Sequence, residues 1–152
     1  MSSEIRALRE GELVEHTELV YASYSHEREH QPGSMLTHGD WWLRSVECDP
    51  YYDLAQTRVM VMDGRLVSSV TCYLRPTYVA GRTIKAACIG SVCTHPDYRR
   101  RGLVRQVLDE SAQWMVAEGF AWSFLYGLEA VYGGSGWRML SSPTVTADVY
   151  VR

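Results

Sequence analysis

The sequence has no apolar run approaching the roughly 20 residues that a helix needs to cross a bilayer. Its first thirty residues carry too many charges for the apolar centre of a secretory signal peptide. Its four cysteines form no C-x-x-C pair, the spacing typical of redox and zinc motifs. We therefore expect a cytoplasmic protein without a membrane partner, whose cysteines are reduced and structural.

The sequence also lacks excess positive charge, internal repeats and low-complexity segments. It has 15 Lys and Arg against 18 Asp and Glu, a net charge of −3 at pH 7, which argues against nucleic-acid binding. Its 152 residues, 46% of them hydrophobic, suffice for one ordinary core, and no linker divides them. We expect one domain over residues 1–152, with small or cationic partners.

Hydrophobic periodicity predicts strands and helices that follow one another along the chain. The Asp63-Gly64 pair between two β-rich runs is a strong hairpin signal. Strands are predicted at 4–8, 57–62, 66–74, 83–94, 121–128 and about 144–151. Helices are predicted at 12–24, from Thr37 or Asp40 to about Cys48, from Arg101 to Gly119, and at 129–135.

This order predicts an α/β fold with a mixed sheet. Strands 57–62, 66–74 and 83–94 form an antiparallel meander, and a right-handed helical crossover then makes strand 121–128 parallel to strand 83–94. Helices cover both faces of such a sheet. Ligands tend to bind beyond the carboxyl ends of parallel strands where these separate, here after Thr94 and Leu128.

A basic turn joins the strand that ends at Thr94 to the long helix. Arg99, Arg100 and Arg101 stand immediately before Gly102 and the first helical turn, where the helix dipole disfavours cations. An anionic ligand, such as a pyrophosphate, would compensate them, since glycine and the unpaired first-turn amides also favour phosphate. The segment is neither a P-loop nor a dinucleotide fingerprint, because G-K-[ST] and two further glycines are missing.

Two motifs in this sequence resemble those of the GCN5-related N-acetyltransferases (GNAT). Arg99-x-x-Gly102-x-Val104 is similar to their acetyl-CoA pattern Gln/Arg-x-x-Gly-x-Gly/Ala, although Val104 departs from the final small residue. The run from Tyr132 to Trp137 is similar to their Tyr-x-x-x-Gly-Phe/Trp helix. The Arg-Arg-Arg-Gly and Tyr-Gly-x-x-Gly details most resemble the amino-terminal domain of the enhanced-intracellular-survival acetyltransferases, a considerably longer family.

The resemblance implies a GNAT-like fold with splayed parallel strands. It also implies transfer of an acetyl group from acetyl-CoA to a primary amine of a small molecule or peptide, by direct attack through a tetrahedral intermediate. Backbone amides near Cys93 would polarise the thioester, and Tyr132 is the candidate general acid, since a phenol with a pKa near 10 can protonate a thiolate. The candidate cofactor-binding residues are Val92, Cys93, Thr94, Arg99, Arg100, Arg101, Gly102, Leu103 and Val104.

The acceptor side is less defined, and the sequence leaves both the base and a homodimer open. In this family the first helices and their loop line the acceptor site, and an acidic acceptor side would suit a cationic amine such as a polyamine, an aminoglycoside or lysine. The candidate bases are His26, Glu27, Glu29, His30, Asp40 and Glu47. An aromatic wall for the acceptor, or simply helix packing, would come from Trp41, Trp42, Tyr51 and Tyr52.

Two alternative functions remain open at this point. His26-Glu27-Arg28-Glu29-His30 fits the zinc-hydrolase signature H-E-x-x-H. Pro32 follows closely, and Leu36 stands where the longer signature has its third ligand, so we expect no metal. A non-catalytic acyl-CoA sensor would share the same fold.

Overall fold

The computed structural model describes residues 2–25 and 38–140. Its helices are α1 (Leu13–Tyr24), α2 (His38–Cys48), α3 (Leu103–Ala117) and α4 (Glu129–Tyr132), the last followed by a 3-10 turn at Gly133–Ser135. Its strands are β1 (Ser3–Ala7), β2 (Thr57–Met62), β3 (Arg65–Leu74), β4 (Thr77–Val79), β5 (Arg82–Ile84), β6 (Ala86–Thr94) and β7 (Trp122–Phe124). The predicted strand at 144–151 lies outside the described residues.

Five strands form one mixed sheet in the order β1-β2-β3-β6-β7. All neighbours in it are antiparallel except β6 and β7, which are parallel and joined by α3. The β2-β3 hairpin turns at Asp63 and Gly64, whose φ values of 48° and 81° are those of a type I′ turn. The predicted α/β class, meander and crossover are therefore confirmed.

Two strand predictions are wrong in detail. The predicted strand 83–94 is two strands, because Arg82–Ile84 pairs with Thr77–Val79 in a separate hairpin between β3 and β6. The turn of this hairpin places Ala80 at a φ of 47°, a conformation that an alanine in the sequence does not predict. The predicted strand 121–128 is paired only over Trp122–Phe124, because the chain then leaves β6.

The sheet has an apolar core on each face. Residues such as Met60, Val70 and Ile89 pack against α3 on one face. Residues such as Val59, Tyr73 and Cys93 pack against α1 and α2 on the other. Strand side chains alternate between the faces, so the same strands serve both cores and hold three helices fixed around the ends of β6 and β7. Among the described helices, none is both long and apolar enough to span a membrane.

Candidate active site

The parallel strands β6 and β7 separate soon after they pair. Their register covers only Ala86 with Trp122, Ala87 with Ser123 and Cys88 with Phe124. The rest of β6, up to Thr94, continues without β7 beside it. Parallel strands that diverge in this way leave backbone groups on one edge of β6 available to a ligand.

A β-bulge lies in the part of β6 that β7 has left. Two steps along β3, from Ser69 to Thr71, oppose three steps along β6, from Cys93 to Gly90. Ser91, within the bulge, has a φ of 48°. Bulges of this kind re-aim side chains and are frequent next to active sites.

Beyond the bulge, alternate residues of β6 face opposite edges. Cys93 is in register with Ser69, and the amide of His95 donates to Val67 of β3 at 2.9 Å. Val92 and Thr94 therefore direct their main-chain groups away from β3. Consistent with this, the Val92 carbonyl accepts a hydrogen bond from the Tyr24 hydroxyl at 2.6 Å.

The basic turn after β6 is braced by its own arginines. Arg99 donates to the carbonyl of Ser23 in α1 at 2.6 Å and to that of Thr94 at 3.3 Å. Arg101 donates to the carbonyl of Asp97 at 3.1 Å and lies 5.0 Å from the centre of the Tyr98 ring. Arg100 is exposed, with a φ of 61°. Arg99 thus joins α1 to the end of β6, which leaves Arg100 and Arg101 better placed for an external anion.

Helix α3 begins at the turn with an open amino terminus. Gly102 is its N-cap at a φ of 70° and a ψ of 15°, and no side chain caps the helix there. A Cβ on Gly102 would have no neighbouring atom within 4 Å, so glycine is favoured here by the positive φ and not by crowding. The space in front of the helix terminus is open. Uncapped amides, the dipole and the neighbouring arginines all favour a phosphate group here. Val104 is half-buried and packs partly against the α3 core.

The second motif lies beside the first. Arg105, in the first turns of α3, donates to the carbonyl of Gly134 at 2.9 Å and so ties the turn after α4 to α3. Trp137 donates from its indole nitrogen to Ser123 of β7 at 3.0 Å. The structure therefore brings the two motifs of the sequence together at the diverging ends of β6 and β7.

Tyr132 is half-buried at the end of α4. A Cβ on Gly127 would come within 2.3 Å of the Tyr132 ring, so the absence of a side chain at 127 makes room for that ring. Burial raises the pKa of Tyr132 above its ordinary value of 10. The hydroxyl is consequently protonated at neutral pH, as a general acid must be.

Cys93 is buried and its thiol is not placed for chemistry. Its sulfur lies 3.1 Å from the Ser69 hydroxyl, and burial raises the pKa of the Cys93 thiol. A buried thiol with a raised pKa is a poor nucleophile. All four cysteines are free, and Cys48 is the exposed one.

A cavity opens on the α1 and α2 side of the sheet. Its volume is about 290 Å³, and its lining residues are Val20, Tyr24, Trp41, Trp42, Ser45, Tyr73 and Ser91. Trp41 and Trp42 both line this cavity, and Trp42 is also buried in the core that α1 and α2 form with the sheet, so Trp42 fits both interpretations of the sequence. Tyr52 instead bonds to Thr57 at 2.8 Å, and neither Tyr51 nor Tyr52 lines the cavity.

The candidate bases are described only in part. Glu47 is exposed and, like Asp40, does not line the cavity. His26, Glu27, Glu29 and His30 lie outside the described residues, and so does the zinc signature that they form. Within residues 2–25 and 38–140, no group of three or more His, Cys, Asp or Glu side chains could hold a metal ion.

Sequence reasoning missed the polar residues of this cavity. Tyr24, Ser45, Tyr73 and Ser91 come from four elements and carry no local motif. Arg105 was missed as well, although it lies one helical turn beyond Arg101 and could have been found from that spacing.

Comparisons with known proteins agree with this geometry. A protein-family model described as an acetyltransferase (GNAT) domain matches residues 4–140. A search of curated proteins gives no match. Among solved structures, a GNAT family acetyltransferase from Brucella melitensis, in complex with acetyl-CoA, is similar at 16% identity and a TM-score of 0.71. The match covers 91% of this chain and 84% of that chain.

Two further structures share the fold. An aminoglycoside acetyltransferase from an uncultured soil metagenomic sample matches at 17% identity and a TM-score of 0.66, over 100% of both chains. A conserved protein from Enterococcus faecalis V583 matches at 18% identity and a TM-score of 0.69. That match covers 90% of this chain, which spans only 32% of the Enterococcus chain.

The family match covers most of the chain, and it falls on the two motifs and the diverging strands already described. The chain belongs to the acetyltransferase (GNAT) domain family, whose members are acyltransferases that use acetyl-CoA.

Proposed function

We propose that this chain transfers the acetyl group of acetyl-CoA to a primary amine at the diverging ends of β6 and β7. The observation that carries the proposal is the coincidence of three features: an unpaired edge of β6, the uncapped amino terminus of α3, and the arginines of the basic turn. These features suit the extended pantetheine arm and the pyrophosphate of acetyl-CoA.

In this proposal the main chain of β6 and the start of α3 bind the co-substrate. The amides of Val92 and Thr94 would donate to its carbonyl groups, including the thioester carbonyl that gains negative charge during attack. Gly102, Leu103 and Val104 would present first-turn amides to the pyrophosphate. Bound acetyl-CoA supplies the activated acetyl group.

Tyr132 is proposed to hold the proton that the departing thiolate receives. Its pKa is raised by burial, so its hydroxyl stays protonated over the pH range in which amines become neutral and reactive. A zinc hydrolase and a non-catalytic sensor are not favoured, because the family match points to an acetyltransferase.

The acceptor, assembly and location are proposed at a coarser level. We infer that the acceptor is a primary amine on a small molecule or peptide. We also infer one domain over residues 1–152 and a cytoplasmic location. Whether the protein forms a homodimer is a question for a measurement of its mass in solution. We infer a relation to the amino-terminal domain of the enhanced-intracellular-survival acetyltransferases from the Arg99–Gly102 run and the Tyr132–Gly136 run of the sequence alone.

The chain offers a matched pair of glycines for testing the co-substrate site. Gly102 and Gly119 flank α3 at φ values of 70° and 74°, and a Cβ on either would meet nothing within 4 Å. Glutamate therefore adds similar backbone strain at both positions, but only at Gly102 does it place a negative charge before the proposed pyrophosphate site. In calorimetric titrations with acetyl-CoA, Gly102→Glu should weaken binding at least tenfold, and Gly119→Glu should bind normally.

Equal affinity in the two variants would contradict the proposed pyrophosphate site.

A second comparison uses acetyl-CoA turnover, measured as thiol release. Tyr132→Phe should lower kcat by about 10² or more, the usual contribution of general acid catalysis. Tyr126→Phe, at a tyrosine that is 93% exposed, should leave kcat unchanged. An unchanged kcat in Tyr132→Phe would remove Tyr132 from the mechanism.

A further inference from the structure

The cavity between α1, α2 and β6 contains a chain of three hydroxyl groups. The Tyr73 hydroxyl lies 3.1 Å from that of Ser45 and 3.1 Å from that of Ser91. The Ser45 hydroxyl also donates to the carbonyl of Trp42 at 2.7 Å. Gly90 permits this arrangement, because even a Cβ there would be 3.0 Å from the Tyr73 ring.

The direction of the chain follows from proton counting. Each hydroxyl has one proton to donate, and a carbonyl can only accept. Ser45 uses its proton on Trp42, so it must accept from Tyr73. Tyr73 has then no proton left, so Ser91 must donate to Tyr73. The oxygen of Ser91 is thereby oriented as an acceptor for a further hydrogen bond.

Ser91 lies where an acceptor amine would arrive. It lines the cavity and directly precedes Val92, whose main chain is on the open edge of β6. An amine N–H held by the Ser91 oxygen would turn the nitrogen lone pair toward a thioester on that edge. The bond would strengthen as the nitrogen gains positive charge during attack, so it would favour the transition state.

The hydroxyl chain cannot itself act as the base. It ends at the carbonyl of Trp42, which is not a proton acceptor at neutral pH, so a proton taken up at Ser91 has no exit along it. Ser91 is therefore a positioning residue for the amine, and the pH dependence of the reaction has another origin.

The walls of the cavity indicate the rest of the acceptor. Among residues 2–25 and 38–140, seven residues line it; four of these are aromatic and none is acidic. Its volume of about 290 Å³ lies just below the usual range for ligand sites, which is about 300–1,000 Å³, so it suits a small group. Aromatic walls stack flat apolar groups, and several buried ammonium groups would need charged partners that these seven residues do not supply.

We propose that this cavity takes the aromatic or alkyl part of a small arylalkylamine-type acceptor, with Ser91 positioning its amine for acetylation. The inference rests on the proposed acetyltransferase function. It differs from the acidic acceptor side that the sequence suggested.

The test compares amines in a thiol-release assay with acetyl-CoA. The probes are 2-phenylethylamine and tryptamine for the proposed class, and spermidine and kanamycin for the polycationic class. The arylalkylamines should have kcat/KM values at least tenfold higher than the polycations. If the polycations are preferred while acetyl-CoA binds normally, the proposed acceptor class is wrong and the acetyltransferase function stands. If none of the four amines releases thiol while acetyl-CoA binds normally, the proposed acceptor class is likewise wrong; if acetyl-CoA does not bind, the proposed function itself fails.

Variants test the role of Ser91. Ser91→Ala should lower kcat/KM for the arylalkylamines about tenfold, the usual effect of one lost hydrogen bond to a developing charge. Its affinity for acetyl-CoA and its pH profile should not change. Ser91→Gly removes the same hydroxyl at a φ of 48°, which glycine adopts freely, so it serves if the alanine variant folds poorly.

A matched pair of tyrosines tests the hydroxyl chain. Tyr73→Phe frees the Ser91 proton and should also lower kcat/KM. Tyr52→Phe removes the hydroxyl of another half-buried tyrosine, whose ring centre is 6.4 Å from that of Tyr73. The Tyr52 hydroxyl bonds to Thr57 and is not one of the three linked hydroxyl groups. The Tyr52→Phe variant should behave like the parent protein. Full activity in both serine variants, or a shifted pH profile in Ser91→Ala, would overturn the positioning role.

Discussion

Buried His16 should make the stability of this protein depend on pH well above the range in which carboxylates titrate. His16 has no exposed surface, and its ring centre lies 4.0 Å from that of Trp42. Its Nε2 is 2.8 Å from the Ser69 hydroxyl, and its Nδ1 is buried without a hydrogen-bond partner among the described residues. Burial lowers the pKa of His16 from its ordinary value of 6.5 to about 3.

The sign and size of the effect follow from proton linkage. Between pH 6.5 and 3 the unfolded chain binds a proton at position 16 that the folded chain excludes, so the free energy of unfolding falls as the pH falls. With these two pKa values, lowering the pH from 7.5 to 5.0 removes about 2 kcal/mol of stability. Below pH 5, carboxylates add their own contributions, so this window separates histidine titration from carboxylate titration.

Urea unfolding at pH 7.5 and 5.0 measures this loss directly. For a domain of this size, with a denaturant slope near 2 kcal/mol/M, the midpoint should fall by about 1 M. The control is His16→Gln, which cannot become charged and should lose much less stability over the same window. Equal losses in the parent and the variant would show that His16 does not resist protonation, and would refute the argument from burial.

Three further predictions concern the site. In native protein a thiol reagent should rapidly modify one cysteine, Cys48, because burial raises the pKa of the other three thiols; two or more fast-reacting thiols would contradict this. Val104→Ala restores the small residue of the GNAT pattern, so calorimetry should show tighter acetyl-CoA binding, and chemical unfolding a loss of about 1 kcal/mol from its partial packing. The raised pKa of Tyr132 keeps its hydroxyl protonated to higher pH, so the alkaline limb of the kcat profile that is assigned to Tyr132 should lie above pH 10. A limb well below that value would argue against Tyr132 as the acid.

Local sequence patterns were sufficient to predict the elements whose signals are themselves local. The Asp63-Gly64 turn and the full extent of β2 were predicted because both residues of that turn favour the positive φ values it needs. The hairpin around Ala80 was missed because alanine gives no such signal. The length of β7 was overestimated, since an apolar run does not reveal where a strand leaves its neighbour.

The same distinction applies to the site. The co-substrate motif is continuous in sequence, from Val92 to Val104, so a local pattern was enough to propose it. The acceptor cavity joins residues far apart in the chain, such as Tyr24 with Val92 and Ser45 with Tyr73. Their proximity depends on how α1 and α2 pack on the sheet, which no spacing in the sequence records.

The bulge in β6 connects the two halves of the site. Ile89 packs on the α3 face and Cys93 on the α1 and α2 face, although residues four apart in a regular strand share a face. The extra residue at the bulge reverses the alternation. That reversal lets Ser91 reach the hydroxyl of Tyr73 while the adjacent Val92 keeps its main chain on the open edge of β6. One inserted residue therefore places the proposed amine-binding oxygen and the proposed thioester-binding amide at consecutive positions, on opposite sides of the bond that would form.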